Sequence, residues 1–431
     1  FFGVSVAISG DTVVVGSSND TIGGATQRGS AYIYQRNNGG PDGWGEIKKI
    51  VALDGAEDDL FGNSVSISNN TVVVGAIYSG GGVLGNGAAY IFSQNAGGGN
   101  NWGQIKKLAA PDGSDGDFFG GSVGISGDTV IVGAENDNIA AVSEGSAYIF
   151  ERNAGGTGNW GQLRKLVVPN GNSGANFGHS VSVSGNVVIV GANQDAAGAN
   201  GTGSAHIHER DAGGPNNWGQ VKKLAAADGA TGDFFGQSVS ISGDAVIVGA
   251  PFDDVAAGTD QGSAYVFSQN AGGADNWGQV TKLTAADGAA GDIFGYAVAV
   301  SGDNFLVGAY LANVPAPFTE KQASGLLGGT QQGASYIFRG SALSPTAASV
   351  SISGRILTAD GRGIAKTRIT LTNAAGQTRT VASSSFGYYR FDEVPAGETY
   401  IISAGHKQYQ FTPRIIGLTG EINDLNFIAG N

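Results

Sequence analysis

The stretch FGGSVGISGDTVIVGA at residues 119–134, followed by GSAYIF at residues 145–150, decides the fold of this chain. The same pattern occurs six times within 431 residues, and successive Phe-Gly pairs are 58 or 59 residues apart. These pairs begin at Phe2, Phe61, Phe119, Phe177, Phe235 and Phe294. A period this regular is typical of a repeat architecture, in which each copy is one supersecondary unit.

Each copy predicts four short β-strands. Residues 122–126 alternate, Gly127-Asp128 suits a tight hairpin, and residues 129–134 form the apolar run of a strand buried on both faces. Residues 146–150 and 160–166 predict the third and fourth strands. Such a unit cannot bury both of its faces alone, so stacking the copies around an axis predicts an all-β fold, a β-propeller of about six four-stranded blades.

Composition excludes several classes of protein. Residues 1–340 carry a net charge of −15 and residues 341–431 a net charge of +2, so the acidic part would repel nucleic acid. No apolar run approaches the roughly 18 residues that a membrane helix needs, and membrane insertion is not expected. The chain has no Cys, hence no disulfide or thiolate metal site. It also has no Met, which indicates a processed or truncated product.

The motifs F-G-x-S-V, V-V-V-G-A and G-S-A-Y-I-F resemble the FG-GAP repeats of integrin α-subunit propellers and their bacterial relatives. The resemblance covers residues 1–340. Many such repeats carry a calcium loop of the D-x-D-x-D-G type between the first two strands, whereas this chain has only one carboxylate there, as in Ser126-Gly127-Asp128. One carboxylate cannot supply the six to eight oxygens that calcium takes, so that site is not carried over.

The predicted outer strands number one fewer than the copies. Five segments carry the tryptophan that opens a fourth strand: Trp44, Trp102, Trp160, Trp218 and Trp277. A segment before Phe1 would complete the last blade, and could add a seventh blade, the number that the integrin resemblance implies. A second possible source of this outer strand is the linker or the C-terminal domain, folded back onto the last blade. The third is a strand donated by a neighbouring molecule to the edge formed by Ala334, Ser335, Tyr336, Ile337, Phe338 and Arg339.

After a linker at residues 341–347 the repeat stops. Residues 348–431 contain short alternating segments separated by turns, which predict a small β-sandwich. The runs GRILTADGRGI and FGYYRFDEVPAGETY resemble the carboxypeptidase regulatory-like domain, a transthyretin-like sandwich. That resemblance implies a spacer or docking module.

Recurring aspartates are the first candidate site. The spacing Asp-Gly-x-x-x-Asp precedes three of the Phe-Gly pairs, at Asp112, Asp117, Asp228, Asp233, Asp287 and Asp292. One interpretation is calcium bound by oxygens of a glycine-bent loop. The alternative is that each aspartate caps backbone N–H groups in a turn. We therefore expect no required cofactor, with calcium as the one possible ligand of these loops.

Other recurring residues have two interpretations each. The loops after Val-Gly-Ala should share one face of the propeller, which makes Asp253 and Asp254 candidates for a binding surface. His206-Ile207-His208 is either a zinc pair or two rings in aromatic slots. The tryptophans either stack on sugars or pack between blades.

No G-x-S-x-G, HExxH or cysteine nucleophile is present, so we predict a protein that is not an enzyme. The favoured function is an extracellular or cell-surface structural or adhesive protein, whose partners are copies of itself joined by strand donation into a filament. The alternative is a monomeric propeller that binds a ligand or glycan. A secreted hydrolase or lyase ranks third.

Overall fold

The structure is a computed structural model that describes residues 1–80, 85–139, 142–168, 172–195, 201–255, 258–313, 333–339, 349–373, 378–395, 399–417 and 422–430. All regular elements in these ranges are β-strands. No helix among them is long and apolar enough to cross a membrane. The chain divides into two compact units, Phe1–Gln269 with Asn276–Arg339 and Asn270–Asp275 with Gly340–Asn431. The linker predicted at residues 341–347 lies outside the described residues.

The first unit is a β-propeller whose blades are antiparallel meanders. Blade 1 comprises β1–β4 (Phe2–Ser9, Thr12–Ser17, Ser30–Arg36, Trp44–Ile50) and blade 2 comprises β5–β8 (Phe61–Ser68, Thr71–Ala76, Ala88–Ser93, Gly103–Leu108). Blade 3 comprises β9–β12 (Phe119–Ser126, Thr129–Ala134, Ser146–Glu151, Gly161–Leu166) and blade 4 comprises β13–β16 (Phe177–Ser184, Val187–Ala192, Ser204–Glu209, Gly219–Leu224). Blade 5 comprises β17–β20 (Ser238–Ser242, Ala245–Ala250, Ser263–Ser268, Gly278–Leu283). The predicted all-β propeller is confirmed.

Blade 6 has three strands in the described residues, β21–β23 (Phe294–Ser301, Asn304–Ala309, Ala334–Arg339). That the described part of blade 6 has three strands agrees with the count of tryptophan segments. Residues 314–332, between β22 and β23, lie outside the described ranges. Among the residues that the structure describes, β23 is paired with β22 alone.

The apolar cores lie between successive blades. Between blades 3 and 4, Ile131 and Ile149 of blade 3 pack with Phe177, Val188 and Trp218 of blade 4. The same residue types recur at the other interfaces. In every copy one face of the sheet packs against the preceding blade and the other face packs against the following blade. Burial of such apolar surface is the main stabilising contribution to the propeller. Four of the five tryptophans are buried in these cores, as the packing interpretation requires.

The glycine of Val-Gly-Ala sets how closely two blades approach. A Cβ added at Gly75 would lie 2.0 Å from the carbonyl oxygen of Gly120 in the next blade, closer than any real contact. The hydroxyl of Ser64 donates a hydrogen bond of 2.8 Å to the same carbonyl. Only glycine permits this approach, and the arrangement recurs at the four other interfaces. In blade 6, a Cβ added at the equivalent Gly308 would lie 3.7 Å from its nearest neighbour, an ordinary van der Waals contact.

The second unit contains a small β-sandwich, as predicted. One sheet has the order β27-β24-β30 and the other the order β26-β25-β28-β29. The strands are β24 Ser349–Leu357, β25 Arg368–Asn373, β26 Thr378–Ala382, β27 Tyr388–Pro395, β28 Thr399–Gly405, β29 Arg414–Gly417 and β30 Phe427–Ile428. Both sheets contribute to one core, in which Ile352 and Phe391 pack with Leu371 and Ile402. The buried Tyr389 hydroxyl donates to the carbonyl of Leu425 at 2.6 Å.

Candidate functional site

The aspartate that follows Val-Gly-Ala is the centre of a polar cluster inside the blade. In blade 3, Asp137 accepts a hydrogen bond of 2.6 Å from Ser146 and one of 2.9 Å from Tyr148. Lys165 of the fourth strand lies 2.7 Å from the same carboxylate. The cluster therefore ties the loop to the third and fourth strands of its own blade, and the aspartate is buried. Equivalent aspartates occur in three other blades, at Asp20, Asp195 and Asp253.

The charges in these clusters stabilise one another. Burial alone would raise the pKa of Asp20, but hydrogen bonds from Lys49, Ser30 and Tyr32 outweigh it and lower the pKa to about 2. Burial alone would lower the pKa of Lys165, but its bonds to Asp112 and Asp137 outweigh it and the pKa is raised. Both groups stay charged at neutral pH, so blades 1–5 each contain a compensated Lys–Asp ion pair.

The Asp-Gly-x-x-x-Asp aspartates have two different roles. The first aspartate joins the cluster just described: Asp112 lies 2.6 Å from Lys165, and Asp228 lies 2.7 Å from Lys282. The second caps a turn, since Asp117 accepts the backbone N–H of Ser114 at 2.6 Å. Asp233 and Asp292 cap the equivalent turns, at 2.6 and 2.7 Å. Burial raises the pKa of Asp117 and of Asp233.

The contacts of the second aspartates, Asp117, Asp233 and Asp292, are those of the turn-capping interpretation, whereas the first aspartates bind side chains instead. Within the described ranges, no group of three or more His, Cys, Asp or Glu side chains is arranged to hold a metal ion. Calcium binding at these loops stays a prediction.

Asp253 and Asp254, predicted on a binding face, differ in their surroundings. Asp253 is buried and bonds to Tyr265 at 2.9 Å and to Lys282 at 2.6 Å. Asp254 is exposed and accepts the backbone N–H of Asp260 at 2.9 Å. Of the two, only Asp254 presents a carboxylate to solvent.

The two histidines of the H-x-H segment occupy aromatic positions in the core of blade 4. His206 lies opposite Lys223, where Tyr148 lies opposite Lys165 in blade 3. Its Nε2 is 2.9 Å from the Ser204 hydroxyl, and both histidine rings contact Phe177 edge to face. The rings fill buried slots, as the packing interpretation expects.

Two positions in each repeat carry a different residue in every copy. The first is the third residue of the Phe-Gly strand: Val4, Asn63, Gly121, His179, Gln237 and Tyr296. The second follows Val-Gly-Ala: Ser18, Ile77, Glu135, Asn193, Pro251 and Tyr310. We call these twelve residues the variable positions. The antiparallel pairing of the first two strands places both kinds at the same end of each blade.

The variable positions contact one another, across a blade boundary in two pairs and within blade 6 in a third. His179 pairs with Glu135, and the Asn193 amide donates to Gln237 at 2.8 Å. In blade 6, the rings of Tyr296 and Tyr310 stack at 5.1 Å, and both are exposed. Motifs do not reveal these residues, because a motif consists of residues that recur. Comparison of the six copies position by position shows them from the sequence alone.

The open edge of blade 6 contains the six predicted residues Ala334–Arg339. Ile337 is 72 % exposed, whereas the equivalent Ile149 in blade 3 is fully buried. The opposite end of the repeat array is also uncovered, since Phe2 is 59 % exposed and its equivalent Phe61 is buried. Blades 1 and 6 thus each expose an apolar face that the other blades bury.

Comparisons with known proteins agree with this architecture. The profile of the FG-GAP repeat family matches six segments, residues 1–34, 44–92, 102–150, 160–208, 218–267 and 277–338. The profile of the carboxypeptidase regulatory-like domain matches residues 351–428. A search of curated proteins gave no match. From the second segment onward, each matched unit opens on the fourth strand of one blade and continues through three strands of the next. The chain belongs to the FG-GAP repeat family and carries a carboxypeptidase regulatory-like domain at its C-terminal end.

Proposed function

We propose that this protein is a non-catalytic structural or adhesive protein, which assembles with copies of itself through the open side of blade 6. The observation that carries the proposal is β23, an edge strand whose Ile337 is 72 % exposed. Exposed edges and apolar patches of this kind favour association with another chain. The uncovered apolar face of blade 1 is a second surface, distinct from the first, so repeated contacts between them are head to tail.

The test is the oligomeric state of the 431-residue chain. We expect light scattering after size-exclusion chromatography to show mass rising with concentration, and negative-stain images to show fibres. Ile337→Lys should reduce this assembly because it places a charge on the exposed apolar face of blade 6. Leu53→Lys is the matched control, since Leu53 is equally exposed but lies in a loop of another blade. Single particles at high concentration, or equal assembly by both variants, would contradict the proposal.

We also propose that the protein works outside the cell or on its surface. FG-GAP repeats occur in extracellular proteins, which supports this location. Protease treatment of intact source cells should remove the protein while a cytoplasmic marker survives. Survival of both would contradict the proposed location.

A monomeric glycan-binding protein is the alternative function, and the stacked pair Tyr296 and Tyr310 favours it. Exposed aromatic rings stack on sugar rings through their apolar faces. On a glycan array, Tyr310→Ala should lose whatever signal the unchanged protein gives, while Leu53→Ala keeps it. An array without signal for the folded protein would remove this alternative.

A further inference from the structure

In each of the five complete blades, the register places a lysine of the fourth strand opposite the aromatic residue of the third. The pairs are Tyr32 with Lys49, Tyr90 with Lys107, Tyr148 with Lys165, His206 with Lys223 and Tyr265 with Lys282. The lysine then binds a carboxylate of the same polar cluster, at 2.6–2.7 Å. The lysine is thus a fixed part of a complete blade.

Blade 6 contains this arrangement without its lysine. The Tyr336 hydroxyl donates a hydrogen bond of 2.9 Å to Asp287, as Tyr265 does to Asp228 in blade 5. Burial, followed by the bond to Asp287, raises the pKa of Tyr336 to about 12. No cationic side chain pairs with Asp287 in the described part of the chain. The carboxylate, its tyrosine and the edge strand are in place, and the cation is not.

The register of blade 5 shows what would complete blade 6. There, Ser268 is opposite Gly278, Phe267 opposite Gln279, Tyr265 opposite Lys282 and Ala264 opposite Leu283. In β23, Arg339 is equivalent to Ser268 and Phe338 to Phe267. Tyr336 is equivalent to Tyr265, and Ser335 to Ala264. A strand that follows this register reads Gly-Gln-x-x-Lys-Leu. The first x is the unpaired residue of the bulge, and the second x is opposite the residue between the aromatic pair.

We propose that blade 6 accepts from a partner polypeptide an antiparallel strand of the pattern Gly-Gln-x-x-Lys-Leu, whose lysine lies opposite Tyr336 and pairs with Asp287. This inference rests on the proposed function and names the segment that the open edge takes. Backbone hydrogen bonds to β23 supply affinity that is independent of sequence. The lysine supplies selectivity, because an acidic side chain at that point would face Asp287 and a neutral one would leave it unpaired.

The experiment titrates a fluorescent peptide with the sequence of residues 217–226, NWGQVKKLAA, into the 431-residue chain and follows anisotropy. We expect saturable binding, weakened roughly ten- to hundred-fold by Lys223→Glu in the peptide. Lys222→Glu is the matched control of equal charge, because the equivalent lysines reach the next blade instead: Lys106 bonds to Asn159. It should weaken binding far less.

Charge reversal in the protein completes the test. Asp287 is exposed, so Asp287→Lys should fold, which a thermal melt checks, and it should bind the unchanged peptide weakly. The same variant should regain affinity for the Lys223→Glu peptide. Absence of saturable binding, equal effects of the two peptide changes, or no response to Asp287→Lys would each overturn the inference.

Light scattering without peptide separates this inference from the proposed function. A protein that stays monomeric but binds the peptide in a lysine-dependent way refutes self-assembly and supports the lysine-bearing strand. A protein that assembles, and whose assembly the peptide does not inhibit, supports self-assembly and refutes the lysine-bearing strand.

Discussion

Replacing His208 by phenylalanine should change how the stability of the propeller depends on pH. The His208 ring is buried in blade 4, where Nδ1 lies 3.1 Å from the carbonyl oxygen of Trp218 and Nε2 has no hydrogen-bond partner among the residues that the structure describes. Burial is the main cause that lowers the pKa of His208 from 6.5 to about 4, and the positive charge of nearby Arg164 adds to it. The folded protein therefore disfavours the protonated ring.

The magnitude follows from the two pKa values. Above pH 6.5 the ring is neutral in both the folded and the unfolded chain, so its stabilising contribution is fully present. As the pH falls from 6.5 to 4, the unfolded chain takes up a proton that the folded chain does not, and stability is lost. A difference of about 2.5 pKa units corresponds to roughly 3 kcal/mol in the free energy of unfolding.

The assay is urea denaturation of both proteins between pH 8 and pH 4. Phenylalanine is the residue at the equivalent position in four other blades, at Phe92, Phe150, Phe267 and Phe338, so the slot accepts it. We expect the difference in the free energy of unfolding, His208→Phe minus wild type, to increase by about 3 kcal/mol as the pH falls from 7 to 4. His406→Asn, in the other unit, is the control. Parallel pH profiles for wild type and His208→Phe would refute the reasoning.

Three further predictions follow from the repeat. Gly75→Ala should destabilise the propeller by about 3 kcal/mol or more, because its Cβ would overlap the carbonyl of Gly120, whereas Gly308→Ala should be nearly neutral. Equal midpoints of thermal unfolding for these two variants would contradict the proposed blade contacts. Trp160→Ala should cost about 3–5 kcal/mol, and Trp44→Ala much less because Trp44 is 43 % exposed; urea midpoints measure both, and similar losses would count against the prediction. EDTA should leave the melting temperature unchanged, since the loop aspartates already bind lysines, hydroxyls and backbone N–H groups. A reproducible shift on chelation would instead support bound calcium.

The sequence predicted the blades because their pattern is local. Alternation in residues 122–126 and the apolar run in residues 129–134 are enough to place two paired strands. Burial of Asp137 was not predictable in this way, because its partner Lys165 is distant in the chain and reaches it through sheet register. Local sequence also cannot separate Trp44 from Trp160, since their neighbours are alike and only the presence of a preceding blade buries one of them.

The offset between the matched repeat unit and the blade has a consequence for how such chains change length. From the second matched segment onward, each unit places its first strand in one blade and its other three strands in the next, so such a unit links two blades covalently. Insertion or deletion of one whole unit, about 58 residues, would therefore preserve every remaining glycine contact and apolar core. Copy number can vary during evolution by recombination between nearly identical units, and the variable positions are where each new copy can diverge.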